Sequence, residues 1–192
     1  MKILFLAMNE YRLWAALRAA ELLERGWPGQ FALHSYRVQD INRDPVLENR
    51  LMEDENWADF VIVSAYGSIQ ALNCFSRLWP RLAGRKPVFF TTTMADEFAE
   101  LAPNLGISLS VCAQLDAYYQ SGLPEDLAQL ALCAANACFD GRYPLQPPHP
   151  PRGQGVYTGQ GFLPPDAEDA YKEQMERETC PVIGVIVHDH YA

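Results

Sequence analysis

Residues 2–8, KILFLAM, open the chain with a stretch that is almost entirely apolar. Residues 58–64 (ADFVIVS) and 87–92 (PVFFTT) repeat this pattern further along. Short, continuously apolar runs are typical of parallel β-strands that are buried on both faces. Residues 31–38 (FALHSYRV) instead alternate partly between apolar and polar side chains, which predicts a strand nearer the edge of the same sheet.

Between and after these strands, apolar residues recur at helical spacing. Six helices are predicted in this way, over residues 10–25, 46–55, 69–82, 96–101, 107–119 and 124–139. Asp44 and Pro45 are typical of the N-cap and first position of the second helix, and Pro80 must bend or end the third. Strands that alternate with helices form parallel βαβ units. The sequence therefore predicts an α/β fold, a doubly wound, mostly parallel Rossmann-like sheet, over residues 1–140.

The composition changes after this domain. Residues 143–152 (YPLQPPHPPR) contain five prolines, which lack the backbone N–H that a helix or a sheet interior needs. We therefore expect an extended proline-rich linker over residues 141–154. Residues 155–192 predict the beginning of a second α/β domain, with a charged helix and a terminal strand, PVIGVIV. Because a buried strand normally leads into a loop and a covering helix, the stop at Ala192 favours a fragment or a short paralogue of a longer protein.

The charge balance limits the classes of function. The chain has 15 Lys and Arg against 24 Asp and Glu, a net charge of −9, and no segment is basic. Electrostatic capture of nucleic acid or of an anionic membrane surface is thereby excluded as the main activity. No apolar run approaches the roughly 18 residues of a membrane span, and the N-terminus lacks the pattern of a signal peptide. Five cysteines without a CxxC pair are typical of reduced thiols, so we expect a cytoplasmic protein.

Two histidines near the end of the chain are the candidate metal ligands. His188 and His190 follow the last predicted strand, and alternate residues of an extended segment point the same way, so both imidazoles can share one cation. Imidazole suits Co²⁺, Ni²⁺ and Zn²⁺. A third ligand would come from Asp96, Glu97, Glu100 or a missing segment. A polar loop that binds nothing is the other interpretation of these residues.

Two loops that follow strands are candidate ligand contacts. Tyr66, Gly67 and Ser68 come after the third strand, and Thr92 and Thr93 end the fourth. Backbone N–H groups in the first loop are suited to bind an anion, with a plain turn as the alternative interpretation. The threonine hydroxyls are suited to contact a ligand, with a helix cap as the alternative. No GxGxxG or GxxxxGK[ST] motif supports nucleotide binding. No Ser/His/Asp or Cys/His set has the local context of a nucleophile, so no catalytic residue is assigned.

Three short segments in the C-terminal third resemble motifs of the tetrapyrrole metal chelatase large subunits, the family of CobN and the magnesium-chelatase H subunit. Gly122, Pro124 and Glu125 match the family's Gly-Gly-Pro-Glu-Asn turn, while Leu123 and Asp126 depart from it. The turn follows a tyrosine-containing helix end, as it does in the family.

The other two segments follow in the family's order. The Gly-Ile-Tyr-His-Pro segment is kept at Gly155 and Tyr157 but not at its His-Pro. The apolar strand that leads into Tyr-Arg-Ser-His is matched at the strand and at His190, whereas His188 replaces the arginine. His190 is thus the position that the motif carries over, and His188 is added on chemical grounds.

The resemblance implies that the chain is the N-terminal portion of a chelatase large subunit. Such subunits bind the tetrapyrrole and the divalent metal, Co or Mg, as substrates, and AAA+ and integrin-like partner subunits use ATP to drive metal insertion. The implied role is tetrapyrrole binding and metal insertion in cobalamin or related tetrapyrrole biosynthesis. The portion itself would bind no cofactor, would have neither a nucleic-acid nor a membrane partner, and would show no chelatase turnover alone.

Two other functions stay open at this point. The chain would also suit a stand-alone Rossmann-like domain that binds a small ligand at the strand ends without catalysis. A group-transfer enzyme of glycosyltransferase-like architecture is the third hypothesis, and no motif supports it.

Overall fold

The computed structural model describes residues 1–65 and 67–150, together with the backbone of two short strands, Val156–Thr158 and Gly161–Leu163. The chain divides into two compact units, Met1–His149 and Pro150–Ala192. In the second unit, the two short strands (β5 and β6) pair antiparallel. The predicted helix over residues 166–177 and the predicted strand over 181–187 lie outside the described residues.

The first unit is built on a four-stranded sheet in which all strands are parallel. Its strands are β1 (Lys2–Ala7), β2 (Ala32–Arg37), β3 (Phe60–Ala65) and β4 (Val88–Thr92), and their order is β2-β1-β3-β4. This confirms the four predicted strands and the position of β2 at an edge. All six residues of β3 are buried, as a continuously apolar central strand requires.

In the part of the chain that the structure describes, seven α-helices connect and cover these strands. They are α1 (Glu10–Gly26), α2 (Val38–Ile41), α3 (Pro45–Trp57), α4 (Phe75–Leu82), α5 (Ala95–Leu101), α6 (Leu109–Gln120) and α7 (Pro124–Cys138). The Asp44 side chain accepts a hydrogen bond from the Val46 N–H at 2.8 Å, so the predicted N-cap of α3 is confirmed. The four-residue helix α2 was not predicted.

One predicted helix is wrong. Residues 69–82 do not form a single helix, because a 3-10 turn at Ile69–Ala71 is separated from α4, which begins at Phe75. The cause is Asn42, whose side chain donates to the Ala71 carbonyl at 2.6 Å and accepts from the Asn73 N–H at 2.9 Å. A continuous helix would need both of these backbone groups for its own ladder. Near the other end, Pro80 lies inside α4, which ends two residues later.

The apolar core lies in two layers, one on each face of the sheet. Phe5 of β1 and Phe89 of β4 pack with α1, α6 and α7. Their neighbours along the same two strands, Leu4 and Phe90, pack on the opposite face with α2, α3, α4 and α5. The predicted doubly wound Rossmann-like α/β fold is therefore confirmed.

The proline-rich segment lies against the helical layer as far as residue 149. The Tyr118 hydroxyl donates to the Gln146 carbonyl at 2.7 Å. The backbone N–H of His149 and its ring Nδ1 lie 3.1 and 2.9 Å from the carboxylate of Asp126, which is 1% exposed in the first turn of α7. These contacts extend the first unit beyond the end of α7.

Candidate functional site

The carboxyl-terminal ends of β3 and β4 carry a cluster of polar groups, at the edge where α/β sheets bind their ligands. The Gly67 N–H donates to the Thr93 hydroxyl at 3.1 Å, and the Thr92 hydroxyl donates to the Gly67 carbonyl at 2.9 Å. The structure thus brings together Gly67, Thr92 and Thr93, three of the five predicted loop contacts. Tyr66 lies outside the described residues, and ligand binding by this loop stays a prediction.

Ser68 and Glu97 join the two loops from the other side. The Ser68 hydroxyl donates to one carboxylate oxygen of Glu97, and the Ile69 N–H donates to the other at 2.9 Å. The Ser68 hydroxyl also accepts from the Gln70 N–H, so it caps the short 3-10 turn. Because the carboxylate of Glu97 is used in these bonds, its role here is to hold the loop after β3.

The alternative in which a threonine caps the following helix is wrong. The N-cap of α5 is Met94, which has no capping side chain. The Thr92 hydroxyl does accept from the Met94 N–H at 3.0 Å, but Met94 precedes the helix. Thr92 and Thr93 therefore link the end of β4 to the loop after β3, because the N–H and the carbonyl of Gly67 lie within hydrogen-bonding distance of their hydroxyls.

The described residues contain no candidate metal site. In residues 1–65 and 67–150, no group of three or more His, Cys, Asp and Glu side chains could hold a metal ion. His188 and His190 lie outside this part of the chain, and their role as ligands stays a prediction. The two described histidines pair with carboxylates instead, His34 with Asp54 at 2.7 Å and His149 with Asp126.

A second polar cluster lies beside the end of β3 and was not predicted from the sequence. The hydroxyls of Ser64 and Tyr119 form a buried hydrogen bond. The guanidinium of Arg12 lies 4.2 Å from the centre of the Tyr119 ring and donates to the Tyr119 carbonyl at 2.8 Å. Burial raises the pKa of the Tyr119 phenol, which keeps it protonated. No local signal predicts this cluster, because its members are 55 and 107 residues apart along the chain.

A groove runs along the outer side of β4, next to the threonine loop, and is called the β4 groove below. Its volume is about 390 Å³, within the range of roughly 300–1,000 Å³ that is usual for small-molecule sites. Three phenylalanines (Phe89, Phe90 and Phe98) and two threonines (Thr91 and Thr92) form much of its lining. The remaining residues come from one side of α6, at Leu109, Cys112, Ala113, Asp116 and Gln120.

The described cysteines are free thiols, as predicted. Cys74, Cys112 and Cys133 are buried, and Cys138 is half-buried. Burial raises the pKa of all four thiols, so they stay protonated near neutral pH and are poor nucleophiles. Cys112 therefore contributes apolar surface to the β4 groove. Among the described helices, none combines the length and the apolar character that crossing a bilayer demands.

Comparison with known proteins shows a likeness in fold to a solved structure. The chain matches no family model and no curated protein. Among solved structures, it is similar to the catalytic subunit of cobaltochelatase from Mycobacterium tuberculosis, with a TM-score of 0.58 and 16% sequence identity. The likeness covers 82% of this chain and 12% of that subunit. At this identity it shows that the two share a fold.

Proposed function

We propose that this chain is the N-terminal portion of a cobaltochelatase- or magnesium-chelatase-type large subunit, and that it takes part in tetrapyrrole binding. The observation that carries the proposal is the structural likeness to the cobaltochelatase catalytic subunit, which extends over 82% of the chain. An independent line supports it, since Gly122, Pro124 and Glu125 match the chelatase turn and Gly155, Tyr157 and His190 follow in the family's order.

The wider role follows from the same proposal. The tetrapyrrole and the divalent metal, Co or Mg, are substrates of the complete subunit. The remainder of that subunit and the ATP-hydrolysing AAA+ and integrin-like subunits are the partners. The product would serve cobalamin or a related tetrapyrrole pathway. In this scheme the chain contributes a binding surface, and His188 and His190 remain the candidates for contact with the metal or the macrocycle.

The geometry of the turn between α6 and α7 supports the motif match. Gly122 has a φ of +70°, a conformation that residues with a side chain rarely adopt. A Cβ at this position would lie 2.9 Å from Nη1 of Arg12, the side chain that stacks on Tyr119. The glycine of the motif is therefore required by both the backbone conformation and the close approach of α1. Pro124 then occupies the first turn of α7, where its missing N–H costs nothing.

A titration with a metal-free tetrapyrrole tests the proposal. The full chain would be titrated with protoporphyrin and with a cobalt-free corrinoid, and tryptophan fluorescence would report binding. We expect saturable quenching by at least one of these macrocycles and none by an unrelated planar dye of similar size. Equal quenching by the dye, or none by either macrocycle, would overturn the proposal and leave the stand-alone small-ligand domain as the better hypothesis.

A further inference from the structure

We infer that the β4 groove is the surface through which this chain holds one edge of the macrocycle. The inference rests on the proposed function and adds the place and the chemistry of the contact. The ring enters edge-first, and the substituents that go in with it are uncharged or donate hydrogen bonds. Carboxylate substituents stay outside.

The walls of the groove suit a flat apolar ring. Phe98 of α5 packs with the core layer that contains Phe90, on one face of the sheet. On the other face, Tyr119 of α6 packs edge-on against Phe89, with 5.8 Å between the ring centres. Helices α5 and α6 thus flank the outer edge of β4, and Leu109, which is 64% exposed, adds apolar surface at the rim. Aromatic and aliphatic walls of this kind bind ring systems by burying their faces.

The floor of the groove offers backbone hydrogen-bonding groups. Within residues 1–65 and 67–150, no strand pairs with the outer edge of β4. The Val61 N–H donates to the Pro87 carbonyl, so in a parallel ladder the backbone groups of Val88, Phe90 and Thr92 face outward. The first of these is already used, because the Val88 N–H donates to the Leu105 carbonyl at 2.7 Å. This bond closes one end of the edge, leaving a site too short for a peptide strand to pair along all of β4.

The charge of the groove disfavours a ligand that carries a carboxylate on its inserted edge. Among the described residues that line it, Asp116 is the one charged side chain, and none is Lys or Arg. Gln120 donates to both carboxylate oxygens of Asp116, at 2.9 and 3.0 Å. A carboxylate on the ligand would meet a like charge with no cation to neutralise it, whereas an amide N–H would find an acceptor.

The groove at the opposite edge of the sheet is a poorer candidate. It is larger, about 600 Å³, but charges of both signs line it, among them Arg37, Arg50, Asp40 and Glu53. Insertion of an apolar ring there would remove these charges from water without pairing them. In the β4 groove, by contrast, the apolar walls and the one carboxylate among the described lining residues favour the same ligand, an apolar ring whose inserted edge carries no carboxylate.

A groove-filling substitution with a matched control tests the position. Ala113 lines the groove on the exposed side of α6, and Ala117 is equally exposed one turn later but does not line it. Ala113→Trp is expected to weaken the binding of a metal-free porphyrin diamide at least about tenfold, since an indole occupies the ring's place, whereas Ala117→Trp leaves it unchanged. Binding would be read from the porphyrin's own absorption band, which the added tryptophan does not disturb, and thermal unfolding would verify that both variants fold.

The outcomes of this experiment distinguish a failure of the proposed function from a failure of the groove assignment. If the wild-type chain binds neither the porphyrin diamide nor any other macrocycle, the proposed function fails. If the wild-type chain and Ala113→Trp bind the porphyrin equally, the groove assignment fails and the proposed function stands. If an extended apolar peptide binds and Ala113→Trp blocks the peptide but not the porphyrin, the groove is a peptide site and the inference is overturned.

A charge substitution tests the chemistry. Asp116→Asn is expected to tighten the binding of protoporphyrin, which carries two carboxylates, several-fold, because it removes the like charge. It should change the affinity for the corresponding diamide much less. Glu53→Gln, at the other edge of the sheet, removes the same amount of charge and serves as the control for the net charge of the protein. Equal effects of the two substitutions would show that the overall charge, and not Asp116, governs binding.

Discussion

The amino-terminal and carboxyl-terminal ends of the four-stranded sheet are held by different kinds of interaction. At the amino-terminal end, the carboxylate of Glu55 is 2% exposed and lies 2.8 Å from Nε of Arg81 and 3.5 Å from Nζ of Lys86. Lys86 also donates to the Ala58 carbonyl at 2.8 Å, just before β3 begins. A buried carboxylate and two half-buried cations therefore join α3, α4 and the segment just before β4.

Beside β3 and β4, hydroxyl groups and one carboxylate that accepts hydrogen bonds hold the carboxyl-terminal end. Thr92 and Thr93 hold Gly67, Glu97 holds the loop after β3, and Tyr119 pairs with Ser64. Hydroxyl contacts of this kind contribute about 1 kcal/mol each. Around β3 and β4, the ion pairs of Glu55 therefore lie away from the candidate site, and the hydroxyl contacts lie beside the β4 groove.

Loss of the buried carboxylate is expected to have the largest effect. Glu55→Ala should lower the free energy of unfolding by about 3 kcal/mol, because it leaves the half-buried side chains of Lys86 and Arg81 without their buried partner. Glu53→Ala, on the exposed side of the same helix, should change it by less than about 0.5 kcal/mol. Urea denaturation measures both. A loss below about 1 kcal/mol for Glu55→Ala would show that the amino-terminal end does not depend on the ion pairs.

The two ends also differ at a pair of glycines with positive φ. Gly122→Ala should cost about 2–3 kcal/mol, because it combines the strained φ of +70° with a clash that displaces Arg12 from Tyr119. Gly84→Ala, at the amino-terminal end, has a φ of +65° but open space around the added Cβ, so we expect about 1 kcal/mol. Denaturation of the two variants compares them, and equal losses would mean that the contact with Arg12 contributes nothing.

Removal of the Tyr119 hydroxyl tests the cluster beside β3. Tyr119→Phe leaves the buried Ser64 hydroxyl without its partner and should cost about 1–2 kcal/mol. Adding Ser64→Ala to this variant should cost less than Ser64→Ala does in the wild-type chain, since the two hydroxyls act as a pair. Additive losses in this double-mutant cycle would show that the pair contributes no coupling.

The difference in stability between the wild-type chain and Tyr119→Phe should depend on pH. Burial raises the pKa of Tyr119 in the folded chain above the ordinary value of 10.0, so the unfolded chain loses this proton first as the pH rises. The contribution of the protonated Tyr119 phenol to the free energy of unfolding is therefore complete below about pH 10 and decreases above it. Between pH 9 and 11, the stability of the wild-type chain should fall more steeply than that of Tyr119→Phe. Parallel curves would contradict the raised pKa.

The smallest effect is expected in the threonine loop. Thr92→Val removes one hydroxyl that donates to the Gly67 carbonyl and accepts from the Met94 N–H, and it should cost about 1 kcal/mol. Thr91→Val is the control, because the Thr91 hydroxyl forms no hydrogen bond among the described residues, and its effect should stay within about 0.5 kcal/mol. If both variants unfold at the same denaturant concentration, the loop does not need the Thr92 bonds.

The failed helix prediction shows where local pattern is insufficient. The spacing of Leu72, Phe75, Leu78 and Trp79 correctly placed apolar residues toward the core, and Leu72, Phe75 and Leu78 are buried. The same spacing did not reveal that Asn42, about 30 residues earlier, takes the backbone groups of Ala71 and Asn73. A side chain from another element therefore ended a helix that propensity alone would continue.

The sequence by itself determined the strands, most of the helices and their parallel α/β arrangement, because continuous apolar runs and helical spacing are local properties of the chain. It also placed Gly67, Thr92 and Thr93 at strand ends, where the parallel sheet had to bring them to one edge. Only the tertiary structure decided that Glu97 holds the loop after β3, that Tyr119 meets Ser64, and that α5 and α6 leave a groove beside β4. These features depend on distances between residues tens of positions apart, and packing of whole helices sets those distances.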